Sequence, residues 1–162
     1  MLWAFVLCFA PVNGQTTFKA MFYNVLNYPD QGPTDRIDNL GVILLDYQPD
    51  LFMACEINDA QGASNILDEL QAVKAEFSAA NFVTNTSDDM TGNQNDLQNM
   101  LYYDSSKFIL EAQTEITTIF RDFNHYTLKL NTVNQDTDPI ILNVIVCHLK
   151  SASGIDNQNF RL

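Results

Sequence analysis

The stretch LFMACE, residues 51–56, begins as an apolar run and ends on a carboxylate, that of Glu56. Two other segments follow the same pattern: AMFYN ends at Asn24 and ILNVIVCH ends at His148. Short apolar runs of this kind predict buried strands. Because ligand sites in α/β sheets gather where strands end, the sequence predicts that these three polar side chains belong to one site.

The chemistry of the three side chains favours a divalent cation beside a phosphate. The amide oxygen of Asn24 and the carboxylate of Glu56 are hard oxygen donors of the kind that bind Mg²⁺ or Mn²⁺. His148 is suited to donate a hydrogen bond to a phosphate oxygen or to move a proton near neutral pH. Strict strand alternation places each side chain on the face of the residue two before it: Asn24 with Phe22, Glu56 with Ala54, and His148 with Val146.

The order of elements predicts an α/β layered domain with a mixed sheet. A first strand in residues 17–28 is followed by a helix capped by Thr34 or Asp35, the LFMACE strand, and a second helix within residues 58–77. NFVTNTSDD predicts a short strand. Two hairpins are expected after it, one pairing LQNMLYYD with KFILEAQTEITTIF and one pairing HYTLKLNTV with PIILNVIVCHLKS.

Charge limits the possible functions. The 162-residue chain has 20 acidic and 8 basic side chains, a net charge of −12. This balance argues against a passive nucleic-acid binder, which holds phosphates with Lys and Arg. It leaves open an enzyme that meets phosphates through bound cations.

The first 14 residues, MLWAFVLCFAPVNG, resemble the apolar and cleavage regions of a signal peptide, although no basic residue precedes the run. Cleavage after Gly14 would leave residues 15–162 as a secreted or periplasmic protein. The alternative is a buried N-terminal strand. The run is too short to span a bilayer as a helix, so no stable membrane insertion is expected.

Two cysteines would remain after such cleavage. Cys55 and Cys147 both lie in apolar runs, where buried free thiols are common, and free thiols are favoured over a disulfide between them. No Cys or His spacing indicates zinc.

Several phrases of the sequence resemble the endonuclease/exonuclease/phosphatase superfamily, which has the deoxyribonuclease I-like fold. In order, they are MFYNVLNY, Arg36, YQPDLFMACEI, QNMLYYDSSKF and NVIVCHLKS, and the resemblance covers the chain from Phe18 to its end. It implies a four-layer α/β sandwich, dependence on Mg²⁺ or Mn²⁺, and hydrolysis of a phosphoester.

The resemblance also implies roles for particular residues. Glu56 would be the direct metal ligand beside Asn24, and His148 would contact the scissile phosphate. Arg121 and Asn99 would contact the substrate phosphate, with Asn99 also a candidate for a supporting role. Two later residues match the same phrases, Lys150 as a supporting residue and Arg161 as a structural one.

The sequence departs from the family after these phrases. The D-x-N pair and the late D-H pair that supply the remaining catalytic residues are missing before Leu162. The chain therefore looks like the N-terminal part of the domain, truncated after roughly its first half. We expect the missing half as a partner, and poor solubility and no activity without it.

The sequence thus predicts a secreted, metal-dependent phosphoesterase, most simply a nuclease-like enzyme acting on DNA or RNA. A phosphatase or a phospholipid diesterase of the same fold stays open, as does a catalytically inactive exported binding module. His125 is expected to be an ordinary surface residue.

Overall fold

Seven strands and two helices make up the part of the chain described by the computed structural model, which comprises residues 17–85, 98–118 and 121–149. In chain order they are β1 (Ala20–Tyr28), α1 (Arg36–Tyr47), β2 (Leu51–Ile57), α2 (Ala60–Val73), β3 (Phe77–Ala79), β4 (Gln98–Asp104), β5 (Phe108–Ile116), β6 (Phe123–Leu130) and β7 (Ile141–Val146). The predictions for residues 1–14, Lys150 and Arg161 lie outside these ranges.

The strands form two sheets. The first has the order β1-β2-β4-β3, in which β1 and β2 are parallel and the other pairs are antiparallel. The second is an antiparallel meander of β5, β6 and β7. The predicted mixed sheet is confirmed, as is the predicted pairing of the last two strands.

The two sheets pack face to face, and both helices cover the outer face of the first sheet. One hydrophobic core joins the helices to this sheet through Leu44, Ile66, Phe52 and Tyr102. A second core lies between the sheets and includes Leu51, Leu101, Tyr126 and Val146. Within the described residues the layers are therefore helices, first sheet and second sheet, with apolar side chains on both faces of the first sheet, which makes three of the four predicted layers.

The ends of the helices follow from local chemistry. Asp59 caps α2, because its carboxylate accepts a hydrogen bond from Gly62 N at 2.7 Å. α1 ends where Gln48 takes a left-handed conformation, with φ 51°, just before Pro49. Neither helix is long and apolar enough to cross a membrane, and the longer has 14 residues.

The predicted hairpin of LQNMLYYD with KFILEAQTEITTIF is wrong. β4 lies between β2 and β3, so both of its edges are already paired. Its alternate side chains are buried against the helices (Tyr102) and against the second sheet (Leu101). The turn after β4 therefore carries the chain across to the second sheet, where β5 pairs with β6.

The strand predicted in NFVTNTSDD is also misplaced. The third strand is Phe77–Ala79, and residues 81–85 have no regular structure. Phe77 is buried in the helix-side core, which fixes the strand at this earlier point in the sequence.

Candidate functional site

Asn24, Glu56 and His148 converge at one edge of the sandwich. Asn24 lies within β1 where its regular pairing with β2 is interrupted, Glu56 lies near the end of β2, and His148 lies two residues after β7. Nδ2 of Asn24 lies 2.9 Å from Oε1 of Glu56. Nε2 of His148 lies 3.3 Å from the same oxygen. The structure thus brings together the three side chains singled out in the sequence, while their catalytic and metal-binding roles stay predictions.

Glu56 occupies a β-bulge. In the pairing of β2 with β4, Ala54 faces Met100 and Ile57 faces Gln98, so β2 contains one extra residue at this point. Glu56 has φ 63°, a left-handed conformation that is uncommon for a residue with a side chain. Such strain costs roughly 1–3 kcal/mol and is concentrated at functional sites.

The bulge overturns the alternation predicted for Glu56. Ala54 packs in the helix-side core, and strict alternation would send Glu56 to that side as well. Asn24, however, is the register partner of Cys55, which alternation places on the side that faces the second sheet. Because of the bulge, Glu56 stays on the side of Cys55 and meets both Asn24 and His148.

Asn24 is held in one orientation by its own strand. Its Oδ1 accepts a hydrogen bond from the backbone N–H of Leu26 at 2.7 Å, which leaves the Nδ2 group to donate to Glu56. The strand turns sharply here, since Leu26 and Asn27 have φ values of 50° and 52°. In this arrangement Asn24 orients the carboxylate of Glu56, and its amide oxygen is already engaged.

Both nitrogens of the His148 ring have a polar neighbour. Nη1 of Arg121 lies 3.1 Å from Nδ1 of His148. A guanidinium only donates hydrogen bonds, so Nδ1 must be the acceptor. The neutral ring therefore carries its proton on Nε2, which faces the Glu56 carboxylate.

Arg121 also binds the backbone beyond β7. Its Nη1 lies 3.0 Å from the carbonyl oxygen of Leu149 and 3.4 Å from that of His148. This side chain, named from the sequence as a phosphate contact, is placed beside His148 and fixes the position of the ring. A direct contact between Arg121 and a phosphate stays a prediction.

Asn99 lies beneath the site. Its side chain is 1% exposed, and Nδ2 donates to Asp122 O at 3.1 Å and to Asn124 Oδ1 at 2.9 Å. A phosphate contact by Asn99 does not fit this burial, whereas the supporting role does. Asn124 was missed in the sequence, although alternation with the apolar Tyr126 and Leu128 places it on the inward face of β6.

A divalent cation fits the free side of Glu56. The side chain of Glu56 is 12% exposed, and no donor within the described ranges reaches its Oε2. Mg²⁺ often takes one or two carboxylates and completes its shell with water and substrate phosphate. The described residues contain no group of three or more His, Cys, Asp or Glu side chains placed to hold a metal. The arrangement therefore suits an open metal site, in which Glu56 would be the protein ligand and water and substrate phosphate would complete the shell.

The cysteines next to the site are free thiols. Burial, reinforced by the negative charge of Glu56, raises the pKa of Cys55 to about 12. Burial also raises the pKa of Cys147. Neither thiol is therefore suited to act as a thiolate ligand or nucleophile at neutral pH.

The other described histidine, expected to be an ordinary surface residue, lies away from the site. His125 is on the outer face of the second sheet, with Nε2 2.9 Å from Oδ1 of Asn143. It has no contact with Glu56 or His148.

Comparison with known proteins rests on structure. No family model matches the chain, and no curated protein matches its sequence. Solved structures do match. ANGEL2, a 2′,3′-cyclic phosphatase solved with adenosine-2′,3′-vanadate, superposes with a TM-score of 0.61 at 15% identity, over 82% of this chain and 41% of that one.

Two further structures give the same result. The human Nocturnin catalytic domain with bound sulfate matches with a TM-score of 0.59 at 16% identity, over 89% of this chain and 55% of that one. D. rerio TDP2 complexed with a single-strand DNA product matches with a TM-score of 0.58 at 15% identity, over 85% and 48%. The chain spans about half the length of these structures. The geometry and the matches together show that the chain has the deoxyribonuclease I-like fold.

Proposed function

We propose that this chain carries part of the active site of a divalent-metal-dependent phosphoesterase that cleaves phosphodiesters of DNA or RNA. The observation that carries the proposal is the convergence of Asn24 and His148 on one carboxylate oxygen of Glu56. These residues come from distant parts of the chain, and the backbone of Glu56 is strained where they meet. Strain of this kind is expected at a site shaped for chemistry.

Bound Mg²⁺ or Mn²⁺ would neutralise the charge that develops on the phosphoryl oxygens. Glu56 would hold the cation through Oε2, while Asn24 keeps the carboxylate in place through Oε1. Metal sites depend on neighbouring residues that hold each ligand in a fixed orientation, and Asn24 would do this for Glu56.

His148 would act as a hydrogen-bond donor to the substrate phosphate. Arg121 donates a hydrogen bond to Nδ1 of the ring, so the proton of the neutral ring stays on Nε2, the atom that faces Glu56. The guanidinium of Arg121, which is partly buried, also adds positive charge close to the position proposed for the phosphate.

The structural relatives support the reaction class. ANGEL2 is a 2′,3′-cyclic phosphatase, and TDP2 was solved with a single-strand DNA product. At 15% identity they support the proposal through the fold alone, and the choice of nucleic acid as substrate is part of the proposal. The net charge of −12 is compatible with it, since the cation rather than a basic surface would meet the phosphate.

We further propose that the active protein includes the rest of this domain. β1 and β7 lie at the ends of their sheets and expose apolar side chains, with Phe22 51% and Ile145 56% exposed. The matched structures are about twice as long as this chain. Additional chain that covers these edges would also supply the residues that activate water.

Export is proposed from the first 14 residues. Fused to a reporter enzyme, they should direct it out of the cytoplasm and be removed, so that the sequence continues from Gln15. A reporter that stays inside the cell with its first 14 residues intact would contradict this part.

The enzymatic proposal is tested with the full-length protein, by following cleavage of a labelled oligonucleotide with Mg²⁺, with Mn²⁺ and with EDTA. We expect metal-dependent cleavage that falls on the order of 100-fold or more in Glu56→Gln, with little change in thermal unfolding. Glu76→Gln removes the same charge from an exposed position outside the site and should keep activity. Full activity of E56Q would refute the proposal, and oligonucleotide binding without cleavage would favour a binding module.

A further inference from the structure

Five polar side chains are buried beneath the candidate site. They are each no more than 4% exposed, and they are Asn85, Gln98, Asn99, Asp122 and Asn124. Burying an amide or carboxylate is costly unless its hydrogen bonds are satisfied. A group of this size among apolar strands therefore needs a physical reason.

Asn124 is the centre of this network. It is 0% exposed, and its Oδ1 accepts from Asn99 Nδ2 at 2.9 Å and from Asn85 Nδ2 at 3.0 Å. Its own Nδ2 donates back to Asn85 Oδ1 at 3.2 Å. The amide of Asn124 thus joins β4, β6 and the segment around Asn85.

Asn99 carries the connection towards the site. Its Nδ2 meets two acceptors, Asp122 O and Asn124 Oδ1, so only the NH2 group can occupy this position. Its Oδ1 is buried and receives no hydrogen bond from the residues that the structure describes. Leaving this oxygen without a partner costs free energy, and the same orientation of the Asn99 amide provides the hydrogen bond to the Asp122 carbonyl.

The segment held by this bond contains Arg121. Asp122 Oδ1 accepts from Thr118 N at 2.8 Å. The hydroxyl of Thr118 accepts from Arg121 N at 3.1 Å and donates to Arg121 O at 3.0 Å. The backbone of Arg121 is therefore fixed on both sides, while Nη1 of its side chain donates to Nδ1 of His148.

We propose that Asn124 is a positioning residue for His148. Acting through Asn99 and the Asp122 carbonyl, Asn124 sets the position of Arg121, and Arg121 holds His148 in the tautomer with the proton on Nε2. The relevance of this tautomer to catalysis rests on the proposed function. The tautomer itself does not, because it can be measured without substrate or metal, so the two proposals can fail separately.

The test is the ¹⁵N spectrum of the imidazole rings in full-length protein labelled at histidine, without metal. His148→Gln identifies the His148 signals by their loss. In the wild type we expect one protonated and one unprotonated ring nitrogen for His148, with Nε2 protonated. Asn124→Leu keeps the size of the side chain and removes its hydrogen bonds, so the two nitrogen signals should lose their separation as the tautomers exchange.

Tyr102→Phe is the matched control. The Tyr102 hydroxyl is also buried and donates to Ala63 O at 3.0 Å, but it lies in the helix-side core. This variant should lose stability and leave the His148 signals unchanged. His125, on the outer face, should keep its signals in every variant.

Asn99→Ala is the second test variant, because it breaks the path to Asp122 and leaves the pair of Asn124 with Asn85 in place. It should also reduce the separation of the His148 signals. Wild-type His148 signals in folded Asn124→Leu or Asn99→Ala would overturn the proposal. Loss of folding in both, with Tyr102→Phe folded, would overturn it as well, since the network would then serve the fold and not the ring.

Discussion

Asn24 and Glu56 are joined by a 2.9 Å hydrogen bond, although Cys55 and not Glu56 is the register partner of Asn24. The bond exists because Glu56 adopts φ 63° in a bulge that keeps its side chain on the side of Asn24. The geometry of the carboxylate therefore depends on the backbone of β2 as well as on its two side-chain partners.

Removing the donor of Asn24 should loosen the proposed metal site. Asn24→Leu keeps the volume and leaves Glu56 Oε1 without this bond, so we expect Mn²⁺ affinity to fall about 10- to 100-fold. Titration calorimetry on the full-length protein measures it. Asn39→Leu is the control, because Asn39 is an exposed amide on α1. Equal Mn²⁺ affinity for Asn24→Leu and wild type would show that Asn24 does not support the site.

Gly62 should be needed for the packing of α2. A Cβ added there would lie 2.8 Å from Pro29 Cδ and 3.2 Å from Tyr28 O, both part of the segment that follows the site on β1. Gly62→Ala should lower the free energy of unfolding by about 1–3 kcal/mol in urea. At Gly41 the new Cβ would meet only the end of the Glu69 side chain, which can move. Gly41→Ala should thus cost much less, and an equal loss in both would contradict this reading.

Asp50 should make stability depend on acid pH. Burial alone would raise its pKa, but hydrogen bonds from Lys107, Lys74 and the backbone N–H of Lys19 lower it to about 2. The folded pKa is below the unfolded one, so the stabilisation is present above about pH 4 and is lost as pH falls towards 2. The contribution is about 2 kcal/mol at neutral pH.

The measurement is urea unfolding from pH 6 to pH 2 for wild type, Asp50→Asn and Asp46→Asn. Asp50→Asn should flatten the loss of stability in this range, because no carboxylate remains to be protonated at that position. Asp46 is exposed on α1 and serves as the control. A wild-type slope in Asp50→Asn would show that other groups cause the acid dependence.

The two thiols should react slowly in the folded protein. Cys55 is 0% exposed with a pKa of about 12, and Cys147 is half-buried with a raised pKa. Because the thiolate is the reactive form, iodoacetamide at pH 8 should label both far more slowly than in urea, and Cys55 more slowly than Cys147. Mass spectrometry after timed quenching gives the two rates. Rapid labelling of Cys55 under native conditions would contradict its burial.

Much of the site followed from the sequence, because an apolar run that meets a polar residue marks the point where regular strand pairing stops: the pairing of β1 with β2 is interrupted after Asn24, β2 bulges at Glu56, and β7 ends two residues before His148. Asn24, Glu56 and His148 were found in this way. The bulge at Glu56 was not, since nothing in LFMACE distinguishes a bulged strand from a regular one. Asn124 was overlooked because a single Asn in an alternating strand carries little signal until its buried partners are known.

The error at β4 had a similar cause. Two strands with a short turn between them predict a hairpin, but β4 is buried on both faces and paired on both edges. Only the competition between strands for those edges decides that β5 belongs to the second sheet. That competition is a property of the folded sandwich and is not visible in either segment alone.

Glu56 and His148 should share one site with a divalent cation. Paramagnetic Mn²⁺ added at low stoichiometry to histidine-labelled, full-length protein tests it directly, because Mn²⁺ broadens only signals from nuclei close to it. We expect Mn²⁺ to broaden the His148 signals first and to leave those of His125 sharp, and we expect this effect to be lost in Glu56→Gln but not in Glu76→Gln. Sharp His148 signals with bound Mn²⁺, or broadening that survives in Glu56→Gln, would contradict it.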